Sequence, residues 1–405
     1  MSPAMASERV DVVVIGGGII GLSVAYELLR SGDPARFRRT VVLERGLAGG
    51  GATQASAGMI APISEAEVQS RAVVDLGLDS LQRWGDFAAG LEQLTRLSAG
   101  YEREGTLWVA ADGDELRELE HVQALQRDKG VASTLLTARE MLEREPHLAS
   151  RITGGLRIDL DHRADPRRVT AALVAALDQL GGAVREGFTA GQIEREGDQW
   201  AVRGTDPAGK PFCLHAHSVV VAAGAWSEEG LSSPLPSFGL RPIKGQALRL
   251  EQGQSRLLRH VLRNPRVYLV PRDDGALFLG ATAEEQGFDG TSTAGATLDL
   301  LRYAWRLLPG IYDLPLVELI VGFRPALRDH QPAIGPLAAP ACRGLYLAIG
   351  HYRDGILLAP ATAHYLAQAI RESRSPPPSC PSCPIACWPR LRLARRRARP
   401  RCRRS

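Results

Sequence analysis

Apolar residues in the first part of the chain recur with two different periods. Residues 12–15 form a short β-branched run, which is typical of a strand buried on both faces. Residues 22–30 suit a buried helix, residues 40–43 indicate a second strand, and residues 70–97 repeat apolar positions at helical spacing. A further strand is expected over 101–110. The alternation of strands and helices over residues 12–97 predicts a parallel sheet at the start of the chain.

The middle of the chain follows a different pattern. Residues 241–282 alternate polar and apolar positions, and the Asp-Asp-Gly sequence at 273–275 is a hairpin-turn signal. Antiparallel strands are therefore expected in this region. A buried strand at 344–349 and a helix at 356–371 then return to the first pattern. The sequence predicts an α/β fold, α+β overall, in which a parallel sheet is followed by an antiparallel part and then by a return to the parallel pattern.

A glycine-rich turn follows the first strand, in the sequence DVVVIGGGIIG, where Gly16, Gly18 and Gly21 have GxGxxG spacing. In such a turn the first glycine permits the tight bend and the second lets the backbone approach a pyrophosphate. The third lets the next helix pack close to the sheet. Glu44 ends the second strand, where it would accept hydrogen bonds from a ribose. These features predict a dinucleotide site; a glycine turn without a ligand, and a plain surface charge at Glu44, are the alternatives.

Composition narrows the class of protein. A chain of 405 residues with 44% hydrophobic content can bury a large core and suggests two or three domains. The net charge of +4 is concentrated in residues 371–405, which hold eleven arginines and one glutamate, so the rest is mildly acidic. No basic face suggests nucleic acid, and no apolar run suggests a membrane span. Two isolated cysteines, Cys213 and Cys342, and a start without signal-peptide features favour a cytoplasmic location.

Three separated segments together resemble the D-amino acid oxidase family of flavoenzymes, and within it the glycine oxidases of bacterial thiamine biosynthesis. They are IGGGIIGLSVAYEL at 15–28, ASAGMIAP at 55–62 and GHYRDGILLAPATA at 350–363. The segments VYLVPRDDGALFLGAT at 267–282 and VGFRPALRDHQPAIG at 321–335 also fit. The resemblance implies a GxGxxG-type, Rossmann-like FAD-binding domain interleaved with an antiparallel-sheet substrate domain. It divides the chain into FAD-binding segments 9–88, 152–236 and 323–372 and substrate segments 89–151 and 237–322.

The resemblance also implies which residues hold FAD, which we expect to be bound non-covalently. One group would contact the adenosine and pyrophosphate: Gly16, Gly18, Ile19, Ile20, Gly21, Glu44, Arg45 and the backbone of Ala190. A second group would line the flavin: Ala52, Thr53, Ala57, Gly58 and Met59, with His351, Tyr352, Arg353, Asp354, Gly355, Ile356 and Leu357 around its polar edge. A helix that begins near Ile356 would direct its positive end at that edge, where reduction adds negative charge. We expect no metal.

For the substrate, the resemblance implies Arg324, Arg353, Tyr268 and Met59. Arg324 directly follows a strand predicted to be buried at 316–323, and an unpaired guanidinium there is costly unless a carboxylate binds to it. The alternative is a structural salt bridge with an internal acid. Tyr268 would cover the substrate carboxylate, or is a half-buried strand aromatic. Met59 would wall the pocket.

The implied reaction is oxidation of a small amino acid or N-methylated glycine by hydride transfer to the flavin. Oxygen would be reduced to hydrogen peroxide, and the imine would hydrolyse to a 2-oxo acid and ammonia or feed thiazole assembly. The alternatives are a D-amino acid or sarcosine dehydrogenase with another electron acceptor, and a flavin-binding module without activity. The sequence does not fix the oligomeric state, although the resemblance allows a homo-oligomer such as a tetramer.

The last segment, residues 373–405, matches nothing in the family. Arginine, proline, alanine, cysteine and serine dominate it, and we interpret it as a disordered tail of the kind that a frameshift leaves. The CxxC spacing in CPSCPIAC allows a metal site, and the arginines allow a nucleic-acid arm; both are weaker alternatives.

Overall fold

The computed structural model describes residues 6–31, 37–64, 70–128, 132–253 and 256–372. The interpretation of residues 373–405 lies outside the described residues. The helices are α1 (Ile19–Ser31), α2 (Arg71–Thr95), α3 (Gly113–Asp128), α4 (Ala138–Arg144), α5 (Pro166–Gln179), α6 (Ala294–Leu307) and α7 (Gly355–Glu372). The strands are β1 (Ala6–Ile15), β2 (Thr40–Glu44), β3 (Met59–Ile60), β4 (Thr106–Ala110), β5 (Thr134–Thr137), β6 (Gly154–Ile158), β7 (His162–Arg163), β8 (Ala183–Glu186), β9 (Thr189–Glu196), β10 (Gln199–Thr205), β11 (Pro211–Val221), β12 (Arg241–Glu251), β13 (Val261–Arg263), β14 (Tyr268–Pro271), β15 (Ala276–Gly280), β16 (Leu316–Ala326), β17 (Ala333–Pro336) and β18 (Leu345–Ile349).

The first sheet is mainly parallel and has β1 near its centre. Its order is β17-β18-β11-β1-β2-β8, and the β9–β10 hairpin extends it through β11. β1 is buried on both faces: Val12 and Val14 pack into the core formed with the helices, whereas Val13 and Ile15 pack with Trp200 on the other side. The β-branched run therefore has the environment that its composition predicted.

The second sheet is mainly antiparallel. Its order is β16-β12-β15-β14-β13-β4-β6-β5, and β14 and β15 are joined by the predicted hairpin turn at 273–275. The chain visits the two sheets alternately, which confirms the predicted α/β fold with an interleaved antiparallel part. β6 and the last residues of β16 lie in the second sheet, a few residues past the predicted ends of the substrate segments. The end points of the domains remain predictions.

Two strands differ from the sequence prediction. The strand expected over 101–110 begins only at Thr106. The strand expected to end before Arg324 runs on to Ala326, so Arg324 lies within β16. β16 is also an edge strand whose first residues are exposed, Val317 to 50%. The apolar run indicated burial, but an edge strand in this fold leaves that end of the run facing solvent.

Among the described residues, no helix combines the length and the apolar character needed to cross a membrane.

Candidate active site

A cavity of about 700 Å³ is bounded by residues of both sheets and of the loops that join them. Its volume is in the range of small-molecule and cofactor sites, about 300–1,000 Å³. Most of the residues that the resemblance implied line it. They are Gly16, Gly18, Ile19, Ile20, Glu44, Arg45, Ala52, Thr53, Ala57, Met59, Ala190, Tyr268, Arg324, His351, Tyr352, Arg353, Asp354, Gly355, Ile356 and Leu357.

Gly21 and Gly58 do not line the cavity but shape its wall from behind. A methyl group at Gly21 would collide with the carbonyl oxygen of Gly16, so a glycine there lets α1 begin close to the end of β1. Gly58 has φ +73°, and a methyl group there would collide with the carbonyl oxygen of Ala164. The structure thus gives both glycines a packing reason to be glycine.

Glu44 braces the glycine turn, which the sequence reasoning did not foresee. Its carboxylate accepts hydrogen bonds from the backbone N–H groups of Gly17 and Gly46, both at 2.8 Å. Each carboxylate oxygen keeps a second lone pair for another donor. Nearby, the N–H of Ile19 donates to the Thr53 hydroxyl at 3.0 Å, which ties the start of α1 to the loop that follows β2.

Trp226 is a cavity residue that sequence reasoning missed. The guanidinium of Arg45 lies 3.9 Å from the centre of its indole ring, within the distance of a cation–π contact. Phe288 stacks on the same indole with ring centres 5.0 Å apart. Only its position shortly after Ala222-Ala223-Gly224, which follows the apolar run at 219–221, could have suggested that Trp226 faces the cavity.

The segment before α7 brings a buried histidine and a helix N-terminus to the cavity. Burial lowers the pKa of His351 to about 3, so the ring is neutral at physiological pH. Its Nε2 lies 3.1 Å from the Thr362 hydroxyl. Tyr352 has φ +48°, and its N–H donates to the carbonyl of Pro325 at 2.9 Å. α7 begins at Gly355, so the positive end of the helix faces this part of the cavity.

Arg324 lies across the neighbouring strand β12. Its guanidinium is so close to Gly245 that a methyl group at residue 245 would meet Cζ at 2.7 Å and Nη2 at 2.8 Å. Its Nη1 donates to the carbonyl of Thr282 at 3.0 Å. No carboxylate among the described residues forms an ion pair with it, so the alternative of a structural salt bridge finds no support there. The guanidinium keeps donors for an anion in the cavity.

Tyr268 lines the same cavity as Arg324, from another strand of the second sheet. Its ring covers Gly280, where a methyl group would meet the hydroxyl at 2.8 Å. Across the β13–β14 pair, Tyr268 is opposite Arg263, another cavity residue without a predicted role. Met59 packs in the same apolar cluster as Tyr268. The cavity lining therefore includes a hydroxyl, a guanidinium and a thioether.

Arg353 is exposed in the cavity lining, and its guanidinium lies 5.3 Å from the ring centre of Tyr352. It is therefore at the solvent side of the site, whereas Arg324 is partly buried.

These residues fit an FAD molecule. At Gly18 a methyl group would meet only the Thr53 hydroxyl, at 3.4 Å, so the turn is open to a close approach by a phosphate group. At Gly224, also in the lining, nothing lies within 4 Å of such a methyl group. The cavity lining includes an acidic residue, Glu44, residues at two helix N-termini, and arginines. An acidic residue suits a ribose, and helix N-termini suit a pyrophosphate.

Most of the chain is similar in sequence to glycine oxidases and to part of larger bifunctional proteins. The bifunctional protein ThiO/ThiG of Synechocystis sp. is 37% identical over 372 residues, which are 91% of this chain and 52% of that protein. The chain thus spans about half the length of the bifunctional relatives that it matches. Glycine oxidase of Geobacillus kaustophilus is 30% identical over 370 residues, 91% of this chain and 95% of that enzyme.

Solved structures agree with these sequence matches. The crystal structure of the Geobacillus kaustophilus glycine oxidase superposes with a TM-score of 0.80 at 31% identity, covering 90% of this chain and 95% of that one. Iminodiacetate oxidase from Chelativorans sp. BNC1 gives a TM-score of 0.77 at 27% identity, covering 91% and 97%. The family model for FAD dependent oxidoreductases, DAO, matches residues 11–369. The chain therefore belongs to the DAO family of FAD-dependent oxidoreductases.

Proposed function

We propose that the protein oxidises a small amine that carries a carboxylate, namely glycine, sarcosine or a small D-amino acid. The observation that carries this proposal is the position of Arg324. Its guanidinium lies in the cavity that Tyr268 also lines, and no carboxylate of the described residues pairs with it. A substrate carboxylate is the partner that a planar, two-pronged guanidinium binds best.

Each residue of this chain then has a role that follows from its position. Arg324 binds the carboxylate, and the Tyr268 hydroxyl donates a second hydrogen bond to it. Met59 limits the size of the group on the substrate carbon, and Arg353 attracts the anion at the solvent side. When bound, FAD supplies the acceptor for the hydride that leaves the carbon next to the amine. Orientation by the protein is sufficient, since no side chain is required as a general base.

The expected products are the imine, which water hydrolyses to a 2-oxo acid and ammonia, and hydrogen peroxide from oxygen. For glycine the 2-oxo acid is glyoxylate. We propose that the imine feeds thiazole assembly in thiamine synthesis, and the similarity to proteins named ThiO/ThiG supports this role.

We also propose that FAD is held without a covalent bond. In the described part of the chain, the cysteines are Cys213 and Cys342. Both are buried, and neither lines the cavity.

The test is anaerobic mixing of the FAD-loaded protein with glycine, sarcosine, D-alanine and iminodiacetate, while the flavin absorbance is followed. We expect at least one of glycine, sarcosine and D-alanine to bleach the flavin rapidly. The proposal fails if none of these three compounds bleaches it. Oxygen uptake by the same sample separates an oxidase from a dehydrogenase, which would be bleached by substrate yet consume oxygen only slowly.

A further inference from the structure

Arg272 is a buried arginine that none of the roles above uses. It directly follows β14, the strand that carries Tyr268, and begins the turn to β15. Its side chain points away from solvent, with 8% of the residue exposed, although it does not line the cavity. A buried guanidinium is costly unless its donors are satisfied, so the groups that satisfy it are informative.

The guanidinium of Arg272 joins two segments of the cavity wall. Its Nη1 donates to the carbonyl of Ala164 at 2.8 Å, and its Nη2 donates to the carbonyl of Ala57. The N–H of Ala164 in turn donates to the carbonyl of Gly58 at 2.9 Å. The three hydrogen bonds close a ring that includes the peptide between Ala57 and Gly58. Ala57 lines the cavity, and Met59, which follows Gly58, lines it too.

The charge of Arg272 strengthens these bonds. Burial lowers the pKa of Arg272 to about 10, so the side chain remains a cation at neutral pH. Among the described residues, no carboxylate forms an ion pair with it, and the charges of Asp165 and Asp274, which raise its pKa, act without a hydrogen bond to it. Its hydrogen bonds to the two carbonyls are therefore charge-assisted, which makes them stronger than bonds between neutral groups.

The planar shape of the guanidinium also fixes the geometry. Two parallel N–H donors hold two carbonyls at a set separation, which a single ammonium group does not do. One of these carbonyls belongs to the loop that leads into Met59. The arginine itself is four residues after Tyr268 and one residue after the end of β14. The ring thus connects the loop against which the flavin is expected to lie with the strand that presents Tyr268 to the substrate.

We propose that Arg272 is a positioning residue that sets the spacing between the flavin loop, residues 57–59, and the substrate-binding face of the second sheet. The proposal rests on the proposed function for its effect on the reaction, but its effect on FAD binding is independent of any substrate. A displacement of about 1 Å in a reacting pair can cost about a hundredfold in rate.

The test compares Arg272→Met and Arg272→Lys with Arg249→Met as the matched control. Arg249 holds the same hairpin through Asp274, at 2.7 Å, but touches no residue of the flavin loop in the contacts described. Three quantities are measured: the FAD dissociation constant of the apoprotein, by flavin fluorescence; the limiting rate of anaerobic flavin reduction with the apparent substrate dissociation constant; and the melting temperature.

We expect R272M to weaken FAD binding and to lower the limiting rate by about tenfold or more each, with the substrate dissociation constant within about threefold of wild type. R272K should recover part of both losses, because it keeps the charge but not the fork. R249M should match wild type within about twofold in both.

A result in which R272M keeps both FAD affinity and limiting rate within about twofold of wild type overturns the proposal. So does an equal loss in R249M, which would indicate general loosening of the hairpin. If R272M does not fold, R272K becomes the test. Unchanged FAD affinity and limiting rate in R272K would contradict the proposal that the planar guanidinium, with its two donors, is required. If no amine reduces the wild-type flavin, the proposed function fails, while the FAD titration still tests Arg272.

Discussion

The guanidinium of Arg324 lies directly over Gly245 of the neighbouring strand, close enough that no side chain larger than hydrogen fits between them. The two residues are offset by two positions in the β12–β16 register, where Gly245 pairs with Gly322 and Arg324 with Ile243. The paired glycines Gly245 and Gly322 therefore leave space above the sheet, over which the Arg324 side chain extends. The absence of a side chain at residue 245 sets where the charged group lies.

Gly245→Ala should displace Arg324 without unfolding the protein. The atoms that the new methyl group meets are the far end of a flexible side chain, which can move, and Gly245 has no positive φ. Loss of one charge-assisted bond to the substrate is worth about 1.5–3 kcal/mol, so KM for the preferred amino acid should rise about tenfold or more. Steady-state kinetics and the melting temperature check this. An unchanged KM would show that Arg324 does not bind the substrate from this position.

Gly58→Ala, unlike Gly245→Ala, should lower the stability of the folded protein. Its methyl group meets the backbone carbonyl of Ala164, which cannot move aside, and its φ of +73° disfavours any side chain. We expect a loss of about 2 kcal/mol or more in the free energy of unfolding. Gly209→Ala is the control, because Gly209 has φ +76° with nothing within 4 Å. Denaturant unfolding of both variants should show the larger loss for G58A; equal losses would contradict a collision at Ala164.

Glu44→Gln should weaken FAD binding. The amide keeps one oxygen, but its nitrogen would face the N–H of Gly17 or Gly46 as a second donor, and the charge that binds ribose hydroxyls is lost. A lost hydrogen bond to a charged group predicts a rise of about tenfold to a hundredfold in the FAD dissociation constant. Fluorescence titration of the apoprotein measures it. Affinity equal to wild type would place the ribose elsewhere.

The sequence could predict those residues of the site that a local motif places, but not those that depend on contacts between distant segments. Gly16, Gly18 and Glu44 follow from a motif and a strand end, and Arg324 from a motif that placed it in the cavity even though the strand boundary was wrong. Gly245 has a role only because β16 lies beside β12, a pairing between strands that are far apart in the chain. Strand order of that kind is not encoded in the local pattern.

Arg272 illustrates the same limit. Its segment, VYLVPRDDGALFLGAT, predicted a hairpin correctly, but nothing in the hairpin sequence indicates that its arginine reaches Ala57 and Ala164. A charged residue next to an apolar strand end was the only available signal. Contacts between distant segments decided whether it was exposed or buried.

The neutral state of His351 makes stability depend on pH. Its pKa is about 3 in the folded protein because the ring is buried, whereas an unfolded histidine titrates near its usual value of 6.5. Between these values the unfolded state binds more protons, so stability falls as pH falls from about 6.5 toward 3. From pH 7 to pH 5 this histidine should remove about 2 kcal/mol.

His351→Gln should therefore lose about 2 kcal/mol less than wild type over that interval, as measured by denaturant unfolding at the two pH values. Asp161, whose pKa burial raises to about 6, and His162, whose pKa burial lowers to about 4, also contribute to the slope. Both are present in both proteins and cancel in the comparison. Equal slopes would mean that His351 is accessible to protons in the folded state.

Binding of the substrate carboxylate by Arg324 can be tested through the rate of anaerobic flavin reduction in wild type and in Arg324→Met. Each protein is mixed with glycine and, separately, with methylamine, which has no carboxylate. R324M should lower the apparent second-order rate constant for glycine by about a hundredfold. It should leave both the slow reaction with methylamine and the FAD affinity unchanged. Glycine reduction by R324M at the wild-type rate, with FAD bound normally, would contradict the claim that this arginine holds the substrate by its carboxylate.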